Sequence, residues 1–64
     1  SYARLVDEAR YQVACELLVQ RDVRIMEIAF ATGYKHPSHF TRAFRRICGV
    51  SPNKFRKNLH VLNP

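Results

Sequence analysis

Leu5, Ala9, Val13 and Leu17 recur every fourth residue in the first part of the chain, and Val6, Ala14 and Leu18 widen that stripe. The period is that of a helix with one apolar face. No Gly or Pro interrupts it before Gln20, and Ser1 offers a capping hydroxyl. Asp7 and Glu8 sit toward the N-terminal end, where the helix dipole favours acids. The pattern predicts a helix over residues 2–19, followed by a short polar link from Gln20 to Val23.

Ile25, Ile28 and Ala29 then share one face of a short second helix that stops at Gly33, a residue suited to the left-handed position after a helix end. Arg24 precedes this helix and is a poor N-cap, because it lacks the side-chain acceptor of Ser or Thr. A third helix opens at Pro37, whose missing amide costs nothing at the first helical position, with His36 as an unusual N-cap. Phe40, Ala43, Phe44 and Ile47 give it a buried stripe, and Gly49 ends it. Ser51-Pro52 signals a fourth helix over 51–60, with Phe55 and Leu59 on its apolar side; Val61 and Leu62 are less clearly patterned, and Asn63-Pro64 closes the chain. No strand pattern, repeat or low-complexity tract occurs. The expected fold is all-α, a small bundle of about four helices in which residues 24–48 form one helix-turn-helix, joined by the link from Gly33 to His36.

Length and charge narrow the functional classes. A chain of 64 residues is at most one domain with a marginal core. No apolar run approaches the ~20 residues of a membrane helix, and the compact stripes leave little for an amphipathic membrane-surface binder. Cys15 and Cys48 lie far apart among apolar or helical neighbours and read as reduced, semi-buried thiols. His36 and His39 could meet on a helix turn, but neither cysteine stands at zinc-site spacing from them, so no metal and no cofactor is expected. The net charge is +6. All five acids (Asp7, Glu8, Glu16, Asp22, Glu27) fall in residues 1–27, against Arg4, Arg10, Arg21 and Arg24; residues 28–64 carry seven bases and no acid. Such asymmetry points to a polyanionic partner. No spacing forces a nucleophile onto a base, so the chain is not read as an enzyme.

The third helix carries the candidate chemistry. With Phe40, Phe44 and Ile47 inward, Ser38, His39, Thr41, Arg42, Arg45 and Arg46 are left on the flanks and outer face. A B-DNA major groove admits one helix, Arg can fork onto guanine, and Ser or His can donate or accept less specifically. Ser38, His39 and Arg42, early in the helix, are candidate base contacts. Lys35 and His36 in the preceding turn, Thr41, Arg45 and Arg46, and Lys54, Arg56 and Lys57 on the last helix are candidates for the phosphate backbone. The alternative is a basic helical module whose face serves an acidic protein surface without reading DNA sequence.

The stretch RIMEIAFATGYKHPSHFTRAFRRICGVSPNKFRK resembles the signature of the AraC/XylS family of bacterial transcription regulators. Ile25, Glu27, Ile28 and Ala29, then Gly33 and Tyr34, then Ser38, Phe40, Arg42, Phe44 and Arg45, then Gly49, Pro52, Phe55 and Arg56 stand in the places of that pattern. Residues 1–19 look like the family's linker helix, with Arg10 and the Ala14, Leu17, Leu18 stretch in position. The resemblance implies that a first helix-turn-helix precedes Ser1, and that this chain is the C-terminal half of a DNA-binding domain: linker helix 1–19, helix-turn-helix 24–48 and last helix 51–60. It implies that the segment from Pro37 to Arg42 enters a major groove of double-stranded DNA. It also implies a cytoplasmic, nucleoid-associated bacterial protein that usually activates transcription, with RNA polymerase a further partner. Four departures stand out. Tyr34 and Phe55 exchange one aromatic for another, and Arg24 stands where Ser often caps. Tyr11 replaces an aliphatic residue, and is expected either to fill space left by the absent first unit or to lie exposed.

Overall fold

The computed structural model describes residues 1–62 and is built from helices α1 (Tyr2–Leu18), α2 (Ile25–Ala31), α3 (Pro37–Cys48) and α4 (Pro52–Leu62). Asn63 and Pro64 lie outside the described residues, while Val61 and Leu62 belong to α4, which therefore runs past the expected end at 60. The helix ends follow local chemistry. The Ser1 hydroxyl accepts from the Arg4 amide at 3.3 Å, and the Ser51 hydroxyl accepts from the Lys54 amide at 3.2 Å. Arg24 and His36 occupy N-cap positions with no side-chain cap bond, in extended backbone.

At the end of α2 the Gly33 amide donates to the Phe30 carbonyl and the Tyr34 amide to the Ala29 carbonyl, with Gly33 at φ 93. This is the paired arrangement that satisfies the last carbonyls of a helix through a left-handed glycine. The Thr32 hydroxyl, buried, donates back to Ile28 and Ala29 at 2.8 and 3.1 Å. The chain is thereby reversed within a few residues and α3 is launched across α2.

The core is small: Ala14 and Leu18 from α1, Ile28 and Ala29 from α2, and Phe40 and Phe44 from α3. Phe44 is its hub. Its ring lies 5.1 Å from Tyr11, 5.9 Å from Phe40 and 5.4 Å from Phe55, linking α1, α3 and α4 through tilted and edge contacts. Cys15 and Cys48 are free and half-buried. The Tyr11 hydroxyl shares a hydrogen bond with Cys15, and this bond together with burial pushes its pKa up to about 12.

Three packing expectations are overturned. On α1 the buried line is Ala14 and Leu18 with Tyr11, Cys15 and Leu17 beside them, so of the expected stripe Leu17 packs on the core, whereas Leu5 is 66% and Val13 44% exposed and Ala9 is open. At 3.6 residues per turn these two lines lie on roughly opposite flanks of the helix. The aromatic hub in α3 recruits Tyr11, and that choice turns the Leu5 line outward. Tyr11 is therefore part of the core. Ile47 is 41% exposed, because the segment of α1 beside it presents Arg4, Asp7 and Glu8 in place of apolar cover. The first turn of α1 holds no acid, so Asp7 and Glu8 stand one turn too far along for a strong dipole contribution. They engage arginines instead: Glu8 pairs with Arg4 at 3.2 Å and Asp7 with Arg46 at 3.6 Å.

Candidate nucleic-acid interface

Burying Phe40, Ala43 and Phe44 fixes the rotation of α3. At about 100° per residue, Thr41, Arg45, Ser38, Arg42, Arg46 and His39 then follow one another around a continuous arc of roughly 160° on the other side. All of them are exposed except Thr41, which is half-buried at the edge. Ser38, Thr41, Arg42 and Arg45 line one shallow open depression, and Arg42 is shared with a second one formed with Asp7, Tyr34, His39, Ala43 and Arg46. Arg42 thus stands on the ridge between the two, at the middle of the face.

The surroundings hold this helix in place. Tyr34 packs edge-on against Phe40 at 5.7 Å, and the Arg10 guanidinium lies over the Tyr34 ring at 5.1 Å. The cation and the ring face attract, so α1 grips the turn before α3. Arg10 also closes over Gly33, where an added Cβ would meet its guanidinium at 3.4 Å. In that turn Lys35 and His36 are exposed, and the His36 and His39 rings meet edge-on at 5.0 Å. Among the described residues no group of three or more His, Cys, Asp or Glu could hold a metal ion, and no helix is long and apolar enough to cross a membrane.

The sequence-derived candidates divide in three. Ser38, His39, Arg42, Arg45 and the edge residue Thr41 form the α3 face, with Lys35 and His36 in the turn before it. Lys54 and Lys57 are exposed on α4. Arg56, grouped with them by charge, is a correction: it turns inward, and its guanidinium donates to the main-chain carbonyls of Leu18 and Val23 at 3.1 and 2.6 Å. It closes the end of α1, where carbonyls lack helical partners. Arg46 lies on the face, but its guanidinium is turned toward Asp7. Asp7 at the rim, and Arg10 and Tyr34 beneath it, were missed as parts of the site. Helical spacing reports neighbours within one helix and is silent on which residue of α1 meets α3.

A bundle of this kind, with an acid-free basic arc on the second helix of a helix-turn-helix, defines a nucleic-acid-binding helix-turn-helix domain. Residues 1–58 match the family described as Helix-turn-helix domain, and the chain belongs to the AraC/XylS family of helix-turn-helix DNA-binding domains. It is similar to the HTH-type transcriptional regulator GlxA of Rhizobium meliloti (strain 1021), 42% identical over 50 residues that make up 78% of this chain and 15% of that protein. It also resembles the HTH-type transcriptional regulator VqsM of Pseudomonas aeruginosa, 35% identical over 60 residues, 94% of this chain and 18% of that one. Among solved structures, a DNA-binding transcriptional dual regulator from Escherichia coli K-12 matches with TM-score 0.87 and 33% identity, over 91% of this chain and 52% of that chain. The chain therefore spans only a minor part of these curated relatives.

Proposed function

We propose that this chain is one reading head of a bacterial transcriptional regulator that binds double-stranded DNA with sequence preference, α3 lying in a major groove. The observation that carries the reading is the rotation of α3: its aromatic stripe is buried, and a continuous basic arc centred on Ser38 and Arg42 is free of core packing. Ser38, His39 and Arg42 reach base edges, as residues early in a recognition helix do. Lys35, His36, Thr41, Arg45, Lys54 and Lys57 hold phosphates and fix the register. Arg46, expected among the phosphate contacts, is engaged by Asp7.

The Leu5, Ala9 and Val13 line supports a second part of the reading. Its Ala9 and Val13, with Arg10, Ala31, Thr32 and Gly33, border an open groove between α1 and the end of α2, and Leu5 extends the same exposed line. A helix apolar on two flanks is suited to packing on both. The first helix-turn-helix, upstream in sequence, covers this line, so that α1 joins two reading heads. Residues 1–19, 24–48 and 51–60 are then the linker helix, the second helix-turn-helix and the closing helix of one domain. The protein acts in the bacterial cytoplasm on the nucleoid, and RNA polymerase is a further partner of the intact regulator.

The test is selection from a random duplex library, followed by titration at ~50 and ~200 mM salt. It compares this chain with the same chain extended to include its upstream residues. A motif enriched by the extended chain, with only salt-sensitive affinity kept by the shorter one, supports the two-headed reader. If neither enriches a motif, sequence reading is lost and the basic face is assigned to an acidic protein surface.

A further inference from the structure

Asp7 is the one acid paired with α3 among the described residues: its Oδ2 lies 3.6 Å from Nη2 of Arg46. Its alternatives are otherwise engaged. Arg4, one turn before it, bonds Glu8 at 3.2 Å, and Arg10, one turn after it, lies over the Tyr34 ring at 5.1 Å. Asp7 also lines the depression shared by His39, Arg42 and Arg46, so its charge sits at the rim of the basic arc. The side chains are 65% exposed at Arg46 and 36% at Asp7. An exposed pair at this separation is weak and screened by salt, so it adds little to folding. Its position gives it another use.

We propose that Asp7 is a positioning residue that limits sequence-independent DNA affinity: its carboxylate holds Arg46 against α1 and withholds one phosphate contact from α3. This rests on the DNA-binding reading above. A phosphate contact by Arg46 would strengthen binding to any sequence alike, because phosphates carry no base information. Each phosphate neutralised also steepens the dependence of log K on log salt by about 0.9. Holding back one such arginine lowers the background on arbitrary DNA, while Ser38 and Arg42, farther around the arc, stay free to read bases.

The experiment uses the intact protein that carries these residues and a random-sequence duplex, titrated from ~50 to ~200 mM KCl. Four variants are compared with the starting protein: Asp7→Asn, Asp7→Glu, Arg46→Ala and the Asp7→Asn/Arg46→Ala pair, each checked for unchanged helicity and melting. Asp7→Asn is expected to tighten binding by about three- to tenfold at low salt and to steepen the salt slope by about 0.9. Asp7→Glu keeps the charge and is expected to stay within twofold of the starting protein. In the Arg46→Ala background, Asp7→Asn should give less than half the gain it gives when Arg46 is present. An unchanged affinity and slope in Asp7→Asn overturns the inference while leaving DNA binding intact. So does an equal gain in both backgrounds, which would mean that Asp7 acts on DNA by its own charge. Failure of the starting protein to bind any duplex at low salt overturns the DNA reading itself.

Discussion

The Nε–H of Arg56 on the last helix donates to the main-chain carbonyl of Leu18 at the end of the first, 3.1 Å away and 38 residues distant in sequence. The same guanidinium donates to Val23 at 2.6 Å, so one planar group closes α1, steadies the link to α2 and anchors α4. Hydrogen bonds to a charged group contribute about 1.5–3 kcal/mol, and Arg56→Ala is expected to lower unfolding stability by about that much in urea titration followed by circular dichroism. Arg56→Lys should recover only part, because an ammonium cannot present the same fork of donors to two carbonyls.

Phe44 and Ile47 belong to one sequence stripe yet have different surroundings, and truncating them should separate cleanly. Phe44→Ala removes the ring on which Tyr11, Phe40 and Phe55 converge, and core Phe truncations cost about 3–5 kcal/mol. For a core this small, that is expected to abolish the cooperative thermal transition. Ile47→Ala, at a residue that is 41% exposed, should shift stability by only about 1–2 kcal/mol.

Gly33 has φ 93, and the Arg10 guanidinium stands 3.4 Å from where a Cβ would be. Gly33→Ala therefore meets a left-handed backbone, while its Cβ only reaches ordinary contact with Arg10. The expected loss is about 1–2 kcal/mol from the backbone alone, visible as a lower melting temperature. Arg10 can keep its place over the Tyr34 ring, so DNA affinity should fall only as far as the unfolded fraction explains.

Arg42 and Lys57 distinguish base reading from phosphate holding. Arg42→Ala is expected to reduce the ratio of selected-site to random-duplex affinity by a factor corresponding to about 1–3 kcal/mol. Lys57→Ala should weaken both duplexes alike and reduce the salt slope by about 0.9. An unchanged ratio in Arg42→Ala would remove it from base reading.

His60 has its Nε2 enclosed without a hydrogen-bond partner, and burial, with Arg21 and Arg56 nearby, pushes its pKa below the ordinary value. The unfolded chain then binds a proton more readily than the folded one. The stability associated with neutral His60 is thus present above about pH 6.5 and is lost as pH falls through the lower folded value. Urea midpoints measured from pH 7.5 downward should drop across this window, and His60→Gln should flatten that part of the profile.

Much of this protein was determined by its sequence alone. Ser1, Pro37, Ser51 and Pro52 start helices and Gly33 and Gly49 end them, because capping hydroxyls, proline and left-handed glycine act within a single turn. The outward arc of α3 was legible for the same reason: Phe40 and Phe44 are the only large aromatics on that helix, and burying them leaves Ser38, His39, Arg42, Arg45 and Arg46 on the other side. Only the tertiary structure decided the rest. α1 offers two apolar lines on opposite flanks, and local periodicity cannot choose between them; contact with Phe44 selects the line of Tyr11, Ala14 and Leu18. Charge alone likewise put Arg56 with Lys54 and Lys57, and Arg46 with Arg45. Their actual partners, the Leu18 carbonyl and the Asp7 carboxylate, lie on another helix, where distance is set by how the four helices pack.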